Sequence, residues 1–175
     1  HPRDCVPKDY IKNNIQTNMK LLGSDRWVQK HVPHNTTGVI VSAGPHTDYK
    51  KLKAFIKKNP GCKVITVKHA YPALMKHNIK PWGCVVLDPR SITGTSTHNI
   101  VRKDLFADLD PKTNFFVASM TDPSVTNFLI DSDARMWGWH AYTDSLRDEA
   151  DQGVAIQNQQ VKLNEELGIP KGATL

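Results

Sequence analysis

Short apolar runs alternate with amphipathic stretches between residues 38 and 141. The five runs are rich in Val, Ile, Phe and Trp and lack strict alternation with polar residues; they are GVIVSAG (38–44), KVITVK (63–68), GCVVLD (83–88), NFFVASM (114–120) and ARMWGWHA (134–141). Such runs are typical of strands that are buried on both faces, as in a parallel sheet. The pattern therefore predicts five parallel strands.

The stretches between these runs show helical spacing. In YKKLKAFIKK (49–58), apolar residues recur every three or four positions, lysines occupy the other side, and Asn59-Pro60-Gly61 ends the pattern. YPALMKHNIKPW (71–82) and SVTNFLI (124–130) occupy two further connections. This alternation predicts an α/β fold: a mostly parallel sheet of about five strands, flanked by helices and joined by right-handed crossovers.

Two further segments flank this α/β unit. Apolar residues near the start follow a helical period up to Gly23-Ser24 and continue in a second short amphipathic piece; they are Tyr10, Ile11, Ile15, Met19 and Leu22, then Trp27, Val28 and Val32. We divide the chain into an N-terminal helical segment (1–37), an α/β domain (38–144) and a C-terminal helical or turn segment (145–175). The last has a weak helical face made by Val154, Ile156, Val161, Leu163 and Leu167.

Length and composition narrow the class of protein. The 175 residues suit one domain with its own core, and no apolar run approaches the roughly 20 residues that a membrane span needs, so we expect no membrane partner. Three cysteines without CxxC spacing predict neither a disulfide framework nor a zinc site, but reduced thiols of a cytoplasmic protein. Because the sequence starts at His1 and ends in GIPKGATL, we expect it to be part of a longer chain.

The formal net charge of +6 favours an anionic partner. The lysines between residues 50 and 58 lie along a helix face that carries no interleaved aromatic residue, which is more typical of a solvated face than of a nucleic-acid surface. We therefore expect a nucleotide or another phosphate-bearing small molecule as partner, and no nucleic acid. Nothing in the sequence specifies an oligomeric state.

All five predicted strands end in polar residues. In parallel sheets, ligands bind at the carboxyl ends of the strands, where loops and helix N-termini meet. The candidate binding residues at these ends are Gly44, Pro45, His46, Thr47, His69, Arg90, Ser91, Ser119 and Thr121, and the candidate catalytic residues are Asp88 and His140.

The loop after the first strand is a candidate phosphate site. Gly44 permits close backbone approach, Pro45 fixes a turn, and Thr47 or Asp48 caps the following helix, whose free N–H groups can then face an anion. The loop is neither a Walker loop nor GxGxxG, and an ordinary strand-to-helix turn has the same composition. Both interpretations stay open.

Asp88 and the two histidines carry the candidate chemistry. A carboxylate after a buried strand suits a magnesium ion that bridges phosphates, or a ribose hydroxyl; alternatively, Asp88 caps the turn DPRS. Arg90 and Ser91 lie close enough in sequence to help bind an anion. His69 and His140 are candidate general bases, although a single His at a strand end is more often a polar contact.

Two stretches resemble a known family. VIVSAGPHTDYKKLKAF (39–55) and VITVKHAYPALMKHNIKPWGCVVLDPRS (64–91) resemble the Rossmann-like domain of the 6-hydroxymethylpterin diphosphokinase (MptE-like) family. Its pattern has a strand ending in Gly-Pro-Ser-Leu and a Gly-Ile-x-Pro-Asp turn into a strand ending in Asp. Gly44, Pro45 and Asp88 match; His46 and Thr47 replace Ser and Leu, and Asn78-Ile79-Lys80-Pro81-Trp82 stands at the turn.

The resemblance implies a nucleotide-dependent transferase. Family members include a pterin diphosphokinase that uses ATP and magnesium, and related domains occur in motility-associated flagellin glycosyltransferases, which are similar to sialyltransferases that use a CMP-sugar; phage-encoded and uncharacterised bacterial members also exist. The implied reaction is phosphoryl transfer, or glycosyl transfer from a nucleotide-sugar, with phosphate at Gly44-Pro45, magnesium at Asp88 and His140 as the base. The alternative is a non-catalytic binding or assembly module of the same fold, which His46 in the anion loop favours.

Overall fold

One five-stranded, wholly parallel sheet forms the centre of the computed structural model, which describes residues 8–29, 32–92 and 103–141. The strands lie side by side in sequence order; they are β1 (Gly38–Val41), β2 (Lys63–Val67), β3 (Gly83–Val86), β4 (Asn114–Ala118) and β5 (Arg135–Trp139). The helices are α1 (Lys8–Leu22), α2 (Tyr49–Lys58), α3 (Tyr71–Lys76) and α4 (Pro123–Asp131), with a 3₁₀ turn at Lys103–Phe106. The predicted parallel α/β fold is confirmed; the predicted segment 145–175 lies outside the described residues.

Residues that pair across the sheet project to the same face. One row, which faces the helices, runs through Val41, Thr66, Cys84, Phe115 and Met136. The residues between these along the strands project to the opposite face, where Val67, Val85, Phe116 and Trp137 form one paired row and Ile40 pairs with Ile65 in the row before it. We call these the helical face and the open face.

Most of the core of the described residues lies on the helical face. Leu52 and Ile56 of α2 and Leu74 of α3 pack with Val41 and Val64. A second cluster joins α4 to the centre of the sheet through Val125, Leu129, Val86, Phe115 and Val117. Because right-handed crossovers that always step in the same direction place their helices on the same side, the strand order accounts for this one-sided layer.

In the described part of the chain, the open face is accessible over β1 to β3, while Ile11 and Ile15 of α1 pack on Ala118 and Trp139 at the carboxyl ends of β4 and β5. Ile40 is 82% exposed, Leu87 40% and Val67 36%, while Val85 and Phe116 are half-buried. The unbroken apolar runs predicted strands buried on both faces. Helices α2 to α4 cover the helical face, and α1 covers the open face only at the carboxyl ends of β4 and β5, so β1 and β2 are open on that side. The periodicity shows that both rows are apolar, and it carries no information about which row a helix covers.

The N-terminal segment closes the edge of the sheet beside β5. Helix α1 ends at Leu22, and Gly23 adopts φ +66, the left-handed conformation in which glycine commonly ends a helix. The chain then runs extended, since Val28 donates to the Gly138 carbonyl at 2.9 Å and Gly138 donates to the Arg26 carbonyl at 2.6 Å. The predicted helical segment 1–37 is thus helical only over α1 in its described part. None of the described helices is long and apolar enough to cross a membrane.

Gly138 is required for the close approach of this edge segment. A Cβ built on Gly138 would lie 2.9 Å from both a Leu22 methyl and the Trp27 ring, and Trp27 is 1% exposed. We expect Gly138→Ala to lower the free energy of unfolding by about 1–3 kcal/mol, the usual cost of overpacking a core. Urea denaturation measures this. Gly61→Ala, whose Cβ would meet nothing within 4 Å, is the control and should stay within about 0.5 kcal/mol of the parent; an equal loss in both variants would contradict the packing argument.

Candidate functional site

Three charged side chains meet at the carboxyl ends of β2 and β3. Lys68 follows β2 directly and is 6% exposed, Asp88 follows β3 and is 1% exposed, and Arg90 lies two residues further on and is partly exposed. The Lys68 backbone N–H donates to the Val85 carbonyl at 3.1 Å, which extends the strand ladder to this point. We call Lys68, Asp88 and Arg90 the charged cluster.

The carboxylate of Asp88 is the centre of this cluster. Its Oδ1 accepts from Arg90 Nε at 2.7 Å and from the Arg90 backbone N–H at 3.1 Å, and its Oδ2 accepts from Arg90 Nη2 at 2.6 Å. The Lys68 ammonium also contacts Oδ2. Asp88 therefore caps the DPRS turn, as the alternative interpretation predicted, and it also holds Arg90 through a bidentate pair.

Two cations share one carboxylate, so the cluster carries excess positive charge. Burial, and then repulsion from the Arg90 guanidinium, lower the pKa of Lys68 to about 8. Lys68 thus remains largely protonated at neutral pH. Burial also raises the pKa of the neighbouring Cys84 to about 12, so that thiol stays neutral and packs as an apolar side chain.

A cavity of about 380 Å³ opens beside the charged cluster. Its lining combines the cluster with His69 and Pro89 and with three apolar side chains, Val67, Val85 and Leu87. Val67 and Val85 pair across the sheet on the open face. The cavity therefore has a cationic end and an apolar floor, which suits a ligand that has both an anionic and a flat apolar part.

A second polar group lies buried at the carboxyl ends of β4 and β5. Ser119 Oγ and His140 Nδ1 are 2.8 Å apart, and both residues are at most 1% exposed. Burial lowers the pKa of His140 to about 4, so the imidazole is neutral near pH 7. The alternative prediction, a polar contact, fits this placement best, and the role of His140 as a base stays a prediction.

Helix α1 contacts the segment after β4 through a row of polar side chains, Tyr10, Asn14 and Asn18, which we call the polar stripe. Asn18 Nδ2 donates to the carbonyls of Ser119 at 2.8 Å and Thr121 at 2.5 Å, and Asn14 Nδ2 donates to the Met120 carbonyl at 3.2 Å. Both asparagines are buried, and both were missed in the sequence, where only the apolar positions of this helix were considered. The available signal was two amide side chains spaced four residues apart beside an apolar stripe.

The hydroxyl of Tyr10 extends the same stripe. It donates to the carboxylate of Asp122, which also accepts from the Ser124 backbone N–H at 2.8 Å and so caps α4. Burial and this hydrogen bond to Asp122 raise the pKa of Tyr10 to about 12. The stripe thus ties the start of α1 to the start of α4.

The predicted site residues fall into three places. Asp88 and Arg90 join, with His69, in the cavity at β2 and β3. Ser119, Thr121 and His140 are buried beside α1, and Ser91 lies at the adjoining start of α4, where its Oγ is 3.2 Å from Ser124 Oγ. Lys68, which completes the charged cluster, was not among the predicted residues. A lysine directly after an apolar run is typical of any strand end, so the sequence did not mark it as part of a site.

The third place is the exposed loop Gly44–Thr47, which does not line the cavity. Asp48 caps α2 by accepting from the Lys51 backbone N–H at 3.0 Å, and Thr47 Oγ1 lies 3.4 Å from the Gly44 carbonyl. These contacts are those of an ordinary strand-to-helix turn. Phosphate binding by this loop stays a prediction.

Magnesium suits Asp88 poorly in this arrangement. Both carboxylate oxygens already face cationic donors, so a metal ion would have to displace Arg90 and Lys68. The described residues contain no group of three or more His, Cys, Asp or Glu side chains that could hold a metal ion. The donor set favours an anion beside the cluster.

The buried imidazole predicts acid sensitivity. The unfolded chain protonates His140 near pH 6.5, whereas the folded chain does so only near pH 4. The free energy of unfolding is therefore unaffected by His140 above pH 6.5 and falls by up to about 3 kcal/mol as the pH drops from 6.5 to 4. Urea denaturation at pH 7.5, 6.0 and 4.5 measures the loss. His140→Asn should reduce it, while His46→Asn at an exposed position should not. The same acid loss in the parent and in His140→Asn would exclude His140 as its source.

Comparison with known proteins gives the family. A family model described as 6-hydroxymethylpterin diphosphokinase MptE-like matches residues 10–171, which is most of the chain. Searches of curated proteins and of solved structures found no match. With the parallel α/β fold already described, the chain belongs to the 6-hydroxymethylpterin diphosphokinase MptE-like family.

Proposed function

We propose that this chain is a nucleotide-dependent transferase domain that binds the phosphate groups of its donor beside the charged cluster. The supporting observation is the surplus of cations around Asp88: Arg90 and Lys68 together carry twice the charge that this carboxylate neutralises. Family membership supports the reaction class. The donor is ATP or a nucleotide-sugar, and the reaction is accordingly phosphoryl or glycosyl transfer.

Arg90 is the residue suited to contact the donor. Its side chain is 36% exposed and it lines the cavity. A guanidinium has five N–H donors, and the bonds from Nε and Nη2 to Asp88 fix its plane without using all of them. A fixed guanidinium loses little conformational freedom on binding, so it is preorganised for a phosphate.

Lys68 and the cavity floor have complementary roles. Lys68 is almost buried, so it acts mainly by adding positive potential in a site of low dielectric. Val67, Val85 and Leu87 offer an apolar surface to the ring of the donor or acceptor. Catalysis in such a site consists of positioning and of stabilising negative charge as it develops on the leaving phosphate. A magnesium ion, when bound through the phosphates, would add further charge neutralisation.

A non-catalytic binding module of the same fold is the second candidate. The observation that favours it is the placement of the two predicted catalytic groups, because Asp88 is paired on both oxygens and His140 is 1% exposed. Neither group is positioned to take a proton from an acceptor. A module of this kind would bind the nucleotide at the same cations and would not turn it over.

Donor binding depends on Arg90 and on pH. We expect Arg90→Gln to weaken binding of ATP, CMP or a nucleotide-sugar by about tenfold or more, since it removes a charge-assisted contact, and Arg90→Lys to restore part of the affinity. Calorimetry with and without magnesium measures both. Affinity should also fall as the pH rises through about 8, because Lys68 then loses its proton.

Lys58→Gln, on the exposed end of α2, is the control for loss of net charge and should leave the affinity within about threefold of the parent. Equal weakening by Arg90→Gln and Lys58→Gln would contradict the proposed site. Turnover of the bound donor in the presence of an acceptor separates the two candidates: transfer supports the enzyme, and tight binding without transfer or hydrolysis supports the module.

A further inference from the structure

A second cavity lies at the opposite edge of the sheet, beside the amino ends of β2 and β3, and has a volume of about 530 Å³. We call it the amino-edge groove. Its lining concentrates lysines from four separate parts of the chain: helix α2, strand β2, the turn before β3 and the loop before β4. These lysines are Lys53, Lys57, Lys63, Lys80 and Lys112.

Carboxylates in the described part of the chain do not neutralise these lysines. The ion pairs within 4.0 Å join Lys51 to Asp48 and join the members of the charged cluster, and they include none of the five. The lining contains one acid, Asp110, which is buried and accepts from the Lys112 backbone N–H at 3.2 Å and from the Thr113 hydroxyl at 3.3 Å. Crowded like charges without partners attract an anion into the groove.

An aromatic wall stands next to these cations. Trp82 lines the groove and is 38% exposed, with Lys63 Nζ 5.5 Å from the centroid of its ring. The Phe116 ring supports Trp82 at a centroid distance of 5.6 Å. A partly exposed indole beside an ammonium group is a stacking surface for a flat base whose phosphates meet the cations.

The fold brings these features together from distant positions. The lysines of α2 indicated a solvated face because they occupy the side of the helix away from its apolar residues, but Trp82 lies next to Lys53 and Lys57 in the lining of the groove. A volume of about 530 Å³ is within the range of small-molecule sites, and it suits one nucleotide better than a polymer, which needs a longer channel.

We infer that the amino-edge groove is a second nucleotide site, in which the phosphates are held by the five lysines and the base stacks on Trp82. It is separate from the proposed donor site, because strand β3 and its flanking residues place Trp82 and Leu87 roughly 16 Å apart along the sheet. The inference therefore stands or falls independently of the proposed function.

Tryptophan fluorescence tests the stacking part. The chain has four tryptophans, so the signal of Trp82 is taken as the difference between the parent and Trp82→Phe. ATP should quench this difference signal in a saturable way, whereas inorganic triphosphate should compete with ATP without quenching. Saturable ATP quenching of equal size in the parent and in Trp82→Phe would overturn the assignment, and so would the absence of quenching.

Matched charge variants test the phosphate part. We expect Lys63→Gln/Lys80→Gln/Lys112→Gln to weaken the Trp82-detected affinity for ATP by about tenfold or more. Lys20→Gln/Lys50→Gln/Lys58→Gln removes the same charge from exposed positions outside the groove and should weaken it less than threefold. Equal losses in the two triple variants would mean that only the general positive field acts, which would overturn the site.

Two further outcomes keep the sites apart. Arg90→Gln should leave the Trp82 signal unchanged, and loss of that signal in Arg90→Gln would show that it reports the carboxyl edge, which would contradict a second site. If a single-stranded oligonucleotide binds at least a hundredfold more tightly than ATP, the ligand of the groove is a polymer, and its assignment as a single nucleotide is wrong. Circular dichroism of each variant confirms the fold; where a triple variant does not fold, competition between ATP and triphosphate in the parent decides.

Discussion

The order of the strands is the constraint on which the rest of the structure depends. Five parallel strands follow one another across the sheet without reversal, so each right-handed crossover places its helix on the same face. The side chains of one face are therefore buried beneath α2, α3 and α4, and those of the open face, such as Ile40 and Trp137, project away from these helices. The amino ends and the carboxyl ends of all strands form two opposite edges, and both candidate sites lie at these edges.

This order also determines what kind of site the fold can build. Doubly wound sheets bind ligands in the crevice where the strand order reverses, and the described strands have no such reversal. At the carboxyl edge, the candidate site is instead formed by charged side chains that come shortly after strands β2 and β3. Asp88 organises them, since its buried carboxylate fixes the Arg90 guanidinium and pairs with Lys68, which leaves a surplus of positive charge beside an apolar floor.

The sequence predicted the elements well because their signals are local. Apolar runs gave all five strands, and Asn59-Pro60-Gly61 and Gly23 marked helix ends that the structure contains. Asp88 and Arg90 were predicted together, since they are two residues apart. Lys68 was missed because its partner lies 20 positions away, as the ion pair with Asp88 shows, and Asn18 was missed because its partners lie more than 100 positions away. The amino-edge groove was missed for the same reason: of its five lysines only Lys53 and Lys57 belong to the basic helix considered in the sequence, and Trp82 was not placed beside them.

The central claim is that the surplus of cations around Asp88 binds the phosphates of a nucleotide. The most direct measurement is a nuclear magnetic resonance titration that follows the Nε–H signal of Arg90, assigned with Arg90→Lys, while ATP is added at pH 7 and again at pH 9. The account predicts a saturable shift of this signal that is weaker at pH 9, because Lys68 is then largely neutral. An unchanged Arg90 signal together with saturable shifts of the Gly44 and Thr47 amides would contradict it and would place the phosphate at the loop after β1.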